Sequence, residues 1–125
     1  MKCLVVDDSA TMRRIVVNAL KSIGYDQVVE ASDGSDALTR CDASIELVIT
    51  DWNMPVMGGL EFVKALRGIP NHARTPILMV TTRSVKEDIL QAVEAGVSSY
   101  ILKPFTPQVL KEKIDQILSP TSGPA

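Results

Sequence analysis

Apolar residues gather into four short blocks along this chain, and each block closes on a polar residue. Cys3–Val6 runs into Asp7 and Asp8, Leu47–Thr50 into Asp51, Ile77–Val80 into Thr81, and Tyr100–Leu102 into Lys103. Blocks this short and this rich in Val, Ile and Leu suit strands buried on both faces of a parallel sheet. Val28-Val29 is a fifth, shorter strand. Between the strands the period lengthens to that of a helix. Met12, Ile15, Val16, Ala19, Leu20 and Ile23 recur at helical spacing up to Gly24, with Ser9 and Thr11 as candidate caps. A weak helix covers Asp36–Cys41, and another carries Leu60, Val63 and Leu66 after the loop that ends at Gly58-Gly59. Lys86–Ala95 forms a helix closed by Gly96, with Ile89 and Val93 on one face. The last helix, Val109–Leu118, follows Pro107 and turns Leu110, Ile114 and Ile117 inward.

Five strands alternating with five helices predict an α/β fold, an open five-stranded parallel sheet with helices on both faces. At 125 residues the chain forms one domain, able to bury roughly 65–70% of its surface. The pattern places that domain over residues 1–118 and reads 119–125 (SPTSGPA) as a disordered tail. A net charge of -2 gives no general attraction to nucleic acid or to an anionic membrane. The apolar runs are too short to span a bilayer, and Met1-Lys2 leads directly into a strand without a signal peptide. Cys3 and Cys41 do not make a disulfide framework, so a reduced, cytoplasmic setting is expected.

Ligands of open parallel sheets bind outside the carboxyl ends of the strands. If the four blocks are parallel neighbours, Asp7, Asp8, Asp51, Thr81 and Lys103 meet at one edge. An adjacent Asp pair next to a helix start is commonly a solvated one. Asp51 is different, because a carboxylate closing an apolar strand is costly to bury unless it is paired or metal-bound. Three carboxylates together repel unless a cation neutralises them, and oxygen-only ligands suit Mg²⁺ or Mn²⁺. Opposite such a cluster, Lys103 becomes a counter-ion and a partner for a phosphate oxygen. Thr81, with Thr82 as a competitor, offers a hydroxyl. The single histidine, His72, sits in a polar loop and is expected at the surface.

The stretches LVVDDS (4–9), ITDWNMPVMGG (49–59), MVTT (79–82) and SYILKPFT (99–106) together resemble the response-regulator receiver domain, over about Lys2 to Leu118. Within that family the chain is most similar to single-domain chemotaxis members. The resemblance implies a flavodoxin-like sheet of strand order 2-1-3-4-5. It implies Asp51 as the phosphoacceptor, attacking a phosphohistidine on a partner histidine kinase. Asp8, Asp51 and the main-chain carbonyl of Asn53 would then hold Mg²⁺, with Asp7 acting through a water. Lys103 would pair with a phosphoryl oxygen, and a cis peptide would precede Pro104. Thr81 would be the switch hydroxyl, and Tyr100 the aromatic that turns inward with it. Asn53, Thr82 and Arg83 would tune dephosphorylation. Thr82 is bulkier, and Arg83 of opposite charge, than the pattern of enteric chemotaxis members, which bears on recognition by a phosphatase. Trp52, the only tryptophan, would report metal binding and phosphorylation by fluorescence.

The function expected is therefore a phosphorylation-activated switch, not a turnover enzyme. Its changing face (fourth helix, fifth strand, fifth helix) would bind an output protein, with the flagellar motor switch as the first candidate. No output module follows Leu118, so the output is expected in a partner and the chain as a monomer. A phosphate sink or phosphorelay carrier would keep the same chemistry. A Mg²⁺-dependent phosphatase of the haloacid dehalogenase type needs an acid two residues after its nucleophile, where this chain has Asn53. A flavodoxin-like carrier would want hydroxyls and amides, not Asp7 and Asp8, in its first loop.

Overall fold

The computed structural model describes residues 1–82 and 84–118; the expected roles of Arg83 and of the tail 119–125 fall outside them. Strands β1 (Lys2–Val6), β2 (Gln27–Ala31), β3 (Leu47–Asp51), β4 (Ile77–Thr81) and β5 (Ser99–Leu102) form one sheet in the order β2-β1-β3-β4-β5. All four neighbouring pairs are parallel. Helices α1 (Ala10–Ser22), α2 (Gly34–Arg40), α3 (Gly59–Arg67), α4 (Lys86–Ala95) and α5 (Pro107–Leu118) connect and follow the strands. A 3₁₀ turn, Pro70–His72, lies ahead of β4.

Alternation within the strands divides the core in two. Leu4, Val6, Val48, Ile77 and Met79 pack under the helices α2, α3 and α4 with Phe62, Leu66 and Ala92. Cys3, Val5, Leu47, Ile49, Leu78 and Val80 face α1 and α5, against Val16, Leu20, Leu110 and Ile114. Each of these strand residues is 2% exposed or less. That is why the sequence shows continuous apolar blocks rather than alternation: both faces are covered.

Several boundaries differ from the sequence pattern for local reasons. β2 extends over Gln27–Ala31 because it is an edge strand, where Gln27 and Glu30 can keep contact with water. α2 starts two residues early, since the Asp33 carboxylate accepts the Asp36 N–H at 2.8 Å and caps it. Ser9, not Thr11, caps α1 by accepting the Met12 N–H. α5 starts at Pro107, with the Thr106 hydroxyl oxygen accepting the Val109 N–H. Ile15 and Val93, which follow the helical period, are about half exposed. The inward residues of α4 are Ala92 and Ala95. Among the described residues no helix is long and apolar enough to cross a membrane.

His72 overturns the surface assignment made from its polar neighbours: it is 2% exposed. Its Nε2 lies 2.9 Å from the Asp42 carbonyl oxygen, which can only accept, so Nε2 carries the proton. The Thr75 hydroxyl oxygen lies 2.8 Å from Nδ1, within hydrogen-bond distance. Cys41 Sγ lies 3.6 Å from Nε2; Cys41 and Cys3 are both buried and unpaired. Burial raises the thiol pKa of each to about 11. Alongside, Arg67 donates to the carbonyls of Gly96 (2.9 and 2.7 Å), His72 (2.9 Å) and Thr75 (2.7 Å). Gly96 has φ +116°, and a Cβ there would come within 2.8 Å of Arg67 Cγ. The end of the sheet opposite Asp51 is thus closed by a buried imidazole and one arginine.

His72→Ala leaves the Asp42 carbonyl and the buried Thr75 hydroxyl without their imidazole partner. A loss of about 2–3 kcal/mol in urea unfolding is expected. Unchanged stability would show that water satisfies both groups.

Candidate functional site

Strand order decides which residues meet. β1 and β4 both flank β3, so the residues that follow β1 and end β4 border Asp51, the last residue of β3. β5 lies beyond β4, and the Lys103 N–H donates to the Thr81 carbonyl at 2.8 Å. One oxygen from each of Asp7, Asp8 and Asp51 lies within 4.8 Å of the others. The Lys103 ammonium reaches this group, 3.2 Å from Asp51 Oδ1 and 3.8 Å from Asp7 Oδ2. Its side chain is 16% exposed, and the Lys103–Pro104 peptide bond is cis.

The three carboxylates stand in different surroundings. Asp7 is buried at 4% exposure. Its Oδ1 accepts the Ser9 N–H at 2.9 Å, and its own N–H donates to the Ala31 carbonyl at 3.1 Å. Asp51 Oδ1 accepts from the Trp52 N–H (2.9 Å) and from Lys103 (3.2 Å). Asp51 Oδ2 accepts no hydrogen bond among the described residues. Asp8 is exposed, and its carboxylate has no hydrogen-bond or ion-pair partner among them. At an effective dielectric constant of about 20, two charges at this spacing repel by about 3 kcal/mol, which one lysine cannot cancel for all three. The donor set suits a hard divalent cation, which would supply the missing charge.

Thr81 ends β4 and is 3% exposed, while its neighbour Thr82 is exposed. Tyr100 is half-buried and packs against the core under α4. The Lys113 ammonium lies 5.6 Å from its ring centroid. Trp52 is buried and Asn53 exposed at the start of the loop after β3. That loop folds back on the site: the Gly59 N–H donates to the Trp52 carbonyl at 2.8 Å, and the Gly34 N–H to the Met57 carbonyl at 3.0 Å. A Cβ at Gly59 would collide with the Asp51 carbonyl oxygen, so glycine alone lets α3 start this close to the strand end. Val56, at φ +67° and 85% exposure, carries the strain of the turn.

Two residues at the site were not visible in the sequence pattern. Arg13 Nη1 donates to the Asp7 carbonyl at 2.6 Å, and Arg13 Nε donates to Glu30 Oε1 at 3.0 Å. Nothing in the spacing of α1 distinguishes Arg13 from its exposed neighbour Arg14. The contact depends on how α1 lies over the ends of β1 and β2.

Burial, reinforced by the Asp51 charge, pushes the Asp7 carboxyl above its ordinary range, against the Ser9 N–H and Lys103. The folded state therefore holds the Asp7 proton more tightly than the unfolded chain. Stability from this group is present at low pH and is lost as pH rises through the raised value. Asp7→Asn keeps an acceptor for Ser9 and removes the charge. Without divalent cation at neutral pH it should stabilise the fold by about 1 kcal/mol, and the gain should shrink as pH falls. Destabilisation by Asn in chemical unfolding would show that attraction to Lys103 outweighs the burial cost.

The comparisons with known proteins point the same way. The family described as "Response regulator receiver domain" matches residues 3–115. A chemotaxis protein CheY homolog of Campylobacter jejuni is 51% identical over 98% of this chain and 96% of its own length. Chemotaxis protein CheY1 of Helicobacter pylori is 51% identical over 94% of this chain and 97% of its own. The solved structure of chemotaxis response regulator CheY4 of Vibrio cholerae superposes with a TM-score of 0.87 at 40% identity, covering 94% of this chain and 98% of that one. With the family covering nearly the whole sheet, and with near full-length relatives above half identity, the chain belongs to the response regulator receiver domains.

Proposed function

We propose that the chain is a cytoplasmic chemotaxis switch that takes a phosphoryl group onto Asp51 and changes the α4–β5–α5 face to engage an output protein. The observation that carries this reading is the pairing of Asp51 with Lys103 at 3.2 Å beside two further carboxylates. The near full-length likeness to proteins named for chemotaxis supports the signalling context.

In this reading Asp8, Asp51 and the Asn53 main-chain carbonyl hold Mg²⁺, with Asp7 acting through a water. Bound there, the cation neutralises charge on the phosphoryl oxygens. The Asp51 carboxylate supplies the electron pair: an oxygen–phosphorus bond forms as the phosphorus–nitrogen bond of a kinase phosphohistidine breaks. The electron pair of that bond leaves with the imidazole. Lys103 moves from the Asp51 carboxylate to a phosphoryl oxygen and offsets the repulsion between two anionic reactants. The phosphoryl group belongs to the chain's own side chain, so the chain acts as a switch rather than as an enzyme on an outside substrate. Thr81 turns its hydroxyl to the new oxygens, and Tyr100 follows into the space released. Asn53, Thr82 and Arg83 set how readily water reaches the acyl phosphate.

The output surface is consistent with this. Tyr100, Leu102, Pro104, Phe105, Val109 and Lys113 line a cleft between β5 and α5. Leu90 and Val93 of α4 and Leu102 of β5 are 41–54% exposed. An apolar peptide with an acidic residue for Lys113, such as one from a flagellar motor switch protein, suits that face.

Asp51→Asn should abolish labelling by acetyl phosphate or by a histidine kinase in the presence of Mg²⁺. Full labelling at another residue would overturn the assignment. Lys103→Ala should leave Mg²⁺ affinity within a few-fold but uncouple phosphorylation from output. A motor-switch peptide that tightens on the phosphorylated wild type should bind phosphorylated and unphosphorylated Lys103→Ala alike. Normal tightening in the variant would remove Lys103 from the switch.

A further inference from the structure

Asp8 is the least constrained member of the acidic cluster. Its carboxylate has no side-chain or main-chain partner among the described residues, so the fold fixes only the direction in which its side chain leaves the backbone, through the peptide that joins it to Asp7. That peptide is held by Arg13, whose Nη1 donates to the Asp7 carbonyl at 2.6 Å. The Asp7 N–H is tied to Ala31 of β2, and the Asp7 carboxylate to the Ser9 N–H. Arg13 therefore supplies the contact that fixes the plane leading into Asp8.

Glu30 holds Arg13 in that position. Its Oε1 accepts from Arg13 Nε at 3.0 Å, and Glu30 is paired in register with Val5 of β1, one strand from the acidic cluster. The Arg13 side chain is 19% exposed. The Arg13 guanidinium pairs with none of the three carboxylates of the cluster among the described residues. Instead, one nitrogen is committed to Glu30 and another to a main-chain carbonyl. The planar fork makes both bonds at once, which a lysine cannot do.

We propose that Arg13, oriented by Glu30, is a positioning residue for the divalent cation: it aims the Asp8 carboxylate by fixing the Asp7–Asp8 peptide. This rests on the reading of Asp7, Asp8 and Asp51 as a cation site. The sign of the effect separates positioning from simple electrostatics. Removing a cation beside an anionic site strengthens Mg²⁺ binding if charge alone matters. If Arg13 orients a ligand, removing it weakens binding, as loss of groups that hold metal ligands does elsewhere.

The test is Mg²⁺ titration of the unphosphorylated chain by calorimetry, with Trp52 fluorescence as a second readout. Arg13→Lys and Arg13→Ala should each weaken Mg²⁺ binding about 10-fold, with lysine failing to rescue despite its charge. Glu30→Gln should weaken it about 3-fold, as expected when Arg13 keeps its carbonyl contact but loses its carboxylate partner. Circular dichroism and urea midpoints identify any variant that does not fold, in which case Glu30→Gln decides. Wild-type affinity or tighter binding in a folded Arg13→Lys, or in Glu30→Gln, would overturn the proposal. A wild-type chain that binds no Mg²⁺ would instead defeat the reading of the acidic cluster.

Discussion

Repulsion among Asp7, Asp8 and Asp51 is the constraint around which this end of the molecule is organised. Folding brings three carboxylate oxygens within 4.8 Å, an arrangement that costs energy unless positive charge is supplied. Among the described residues Lys103 supplies part of it. Lys103 reaches the cluster from β5, next to β4 in the sheet, with its N–H bonded to the Thr81 carbonyl. Asp7 is buried despite its charge, and its raised pKa reflects that cost. A core as well packed as this one, with Leu4, Val5 and Val6 at 1% exposure or less, can tolerate a few kcal/mol of local destabilisation at a site.

The same core explains how the site stays in register. Parallel pairing of β3 with both β1 and β4 fixes the distance from Asp51 to the other strand ends, and a slip of one residue would reverse every side chain. Gly59 lets α3 begin almost against the Asp51 carbonyl, so the loop after the strand cannot drift away from the site. Arg13 and Glu30 add a second support from α1 and β2. Asp7 and Asp51 are thus held through both main-chain groups and one carboxylate oxygen each, while Asp51 Oδ2 and the Asp8 carboxylate accept no hydrogen bond among the described residues.

Much of this edge is legible in the sequence because each apolar block ends close to the carboxyl end of its strand, and the polar residue that closes it is the one the proposed function uses. Asp51 stands out since no packed strand would close on a lone acid without a partner. Thr81 and Lys103 become informative only when placed beside it. The limits are equally physical. His72 reads as a surface residue because its partners, the Asp42 carbonyl and the Thr75 hydroxyl, leave no hydrophobic signature. Arg13 is invisible because its acceptor is a backbone oxygen on another element. β2 reads short because an edge strand can end in polar residues without penalty.

The attachment of α4 is lopsided, and that bears on how a signal could leave the site. Its C-terminal end is bolted to the molecule: Gly96 accepts two hydrogen bonds from Arg67, and Ala92 and Ala95 are the buried residues of the helix. Its N-terminal end has no side-chain cap, and Val85 lies exposed. Such a helix behaves as a beam fixed at one end. In the proposed switch, a push from the Thr81 end would act on the uncapped start of α4 and would fade along the helix toward Gly96. The far end of the sheet, with Arg67 and His72, would then serve as the ground against which that movement is measured.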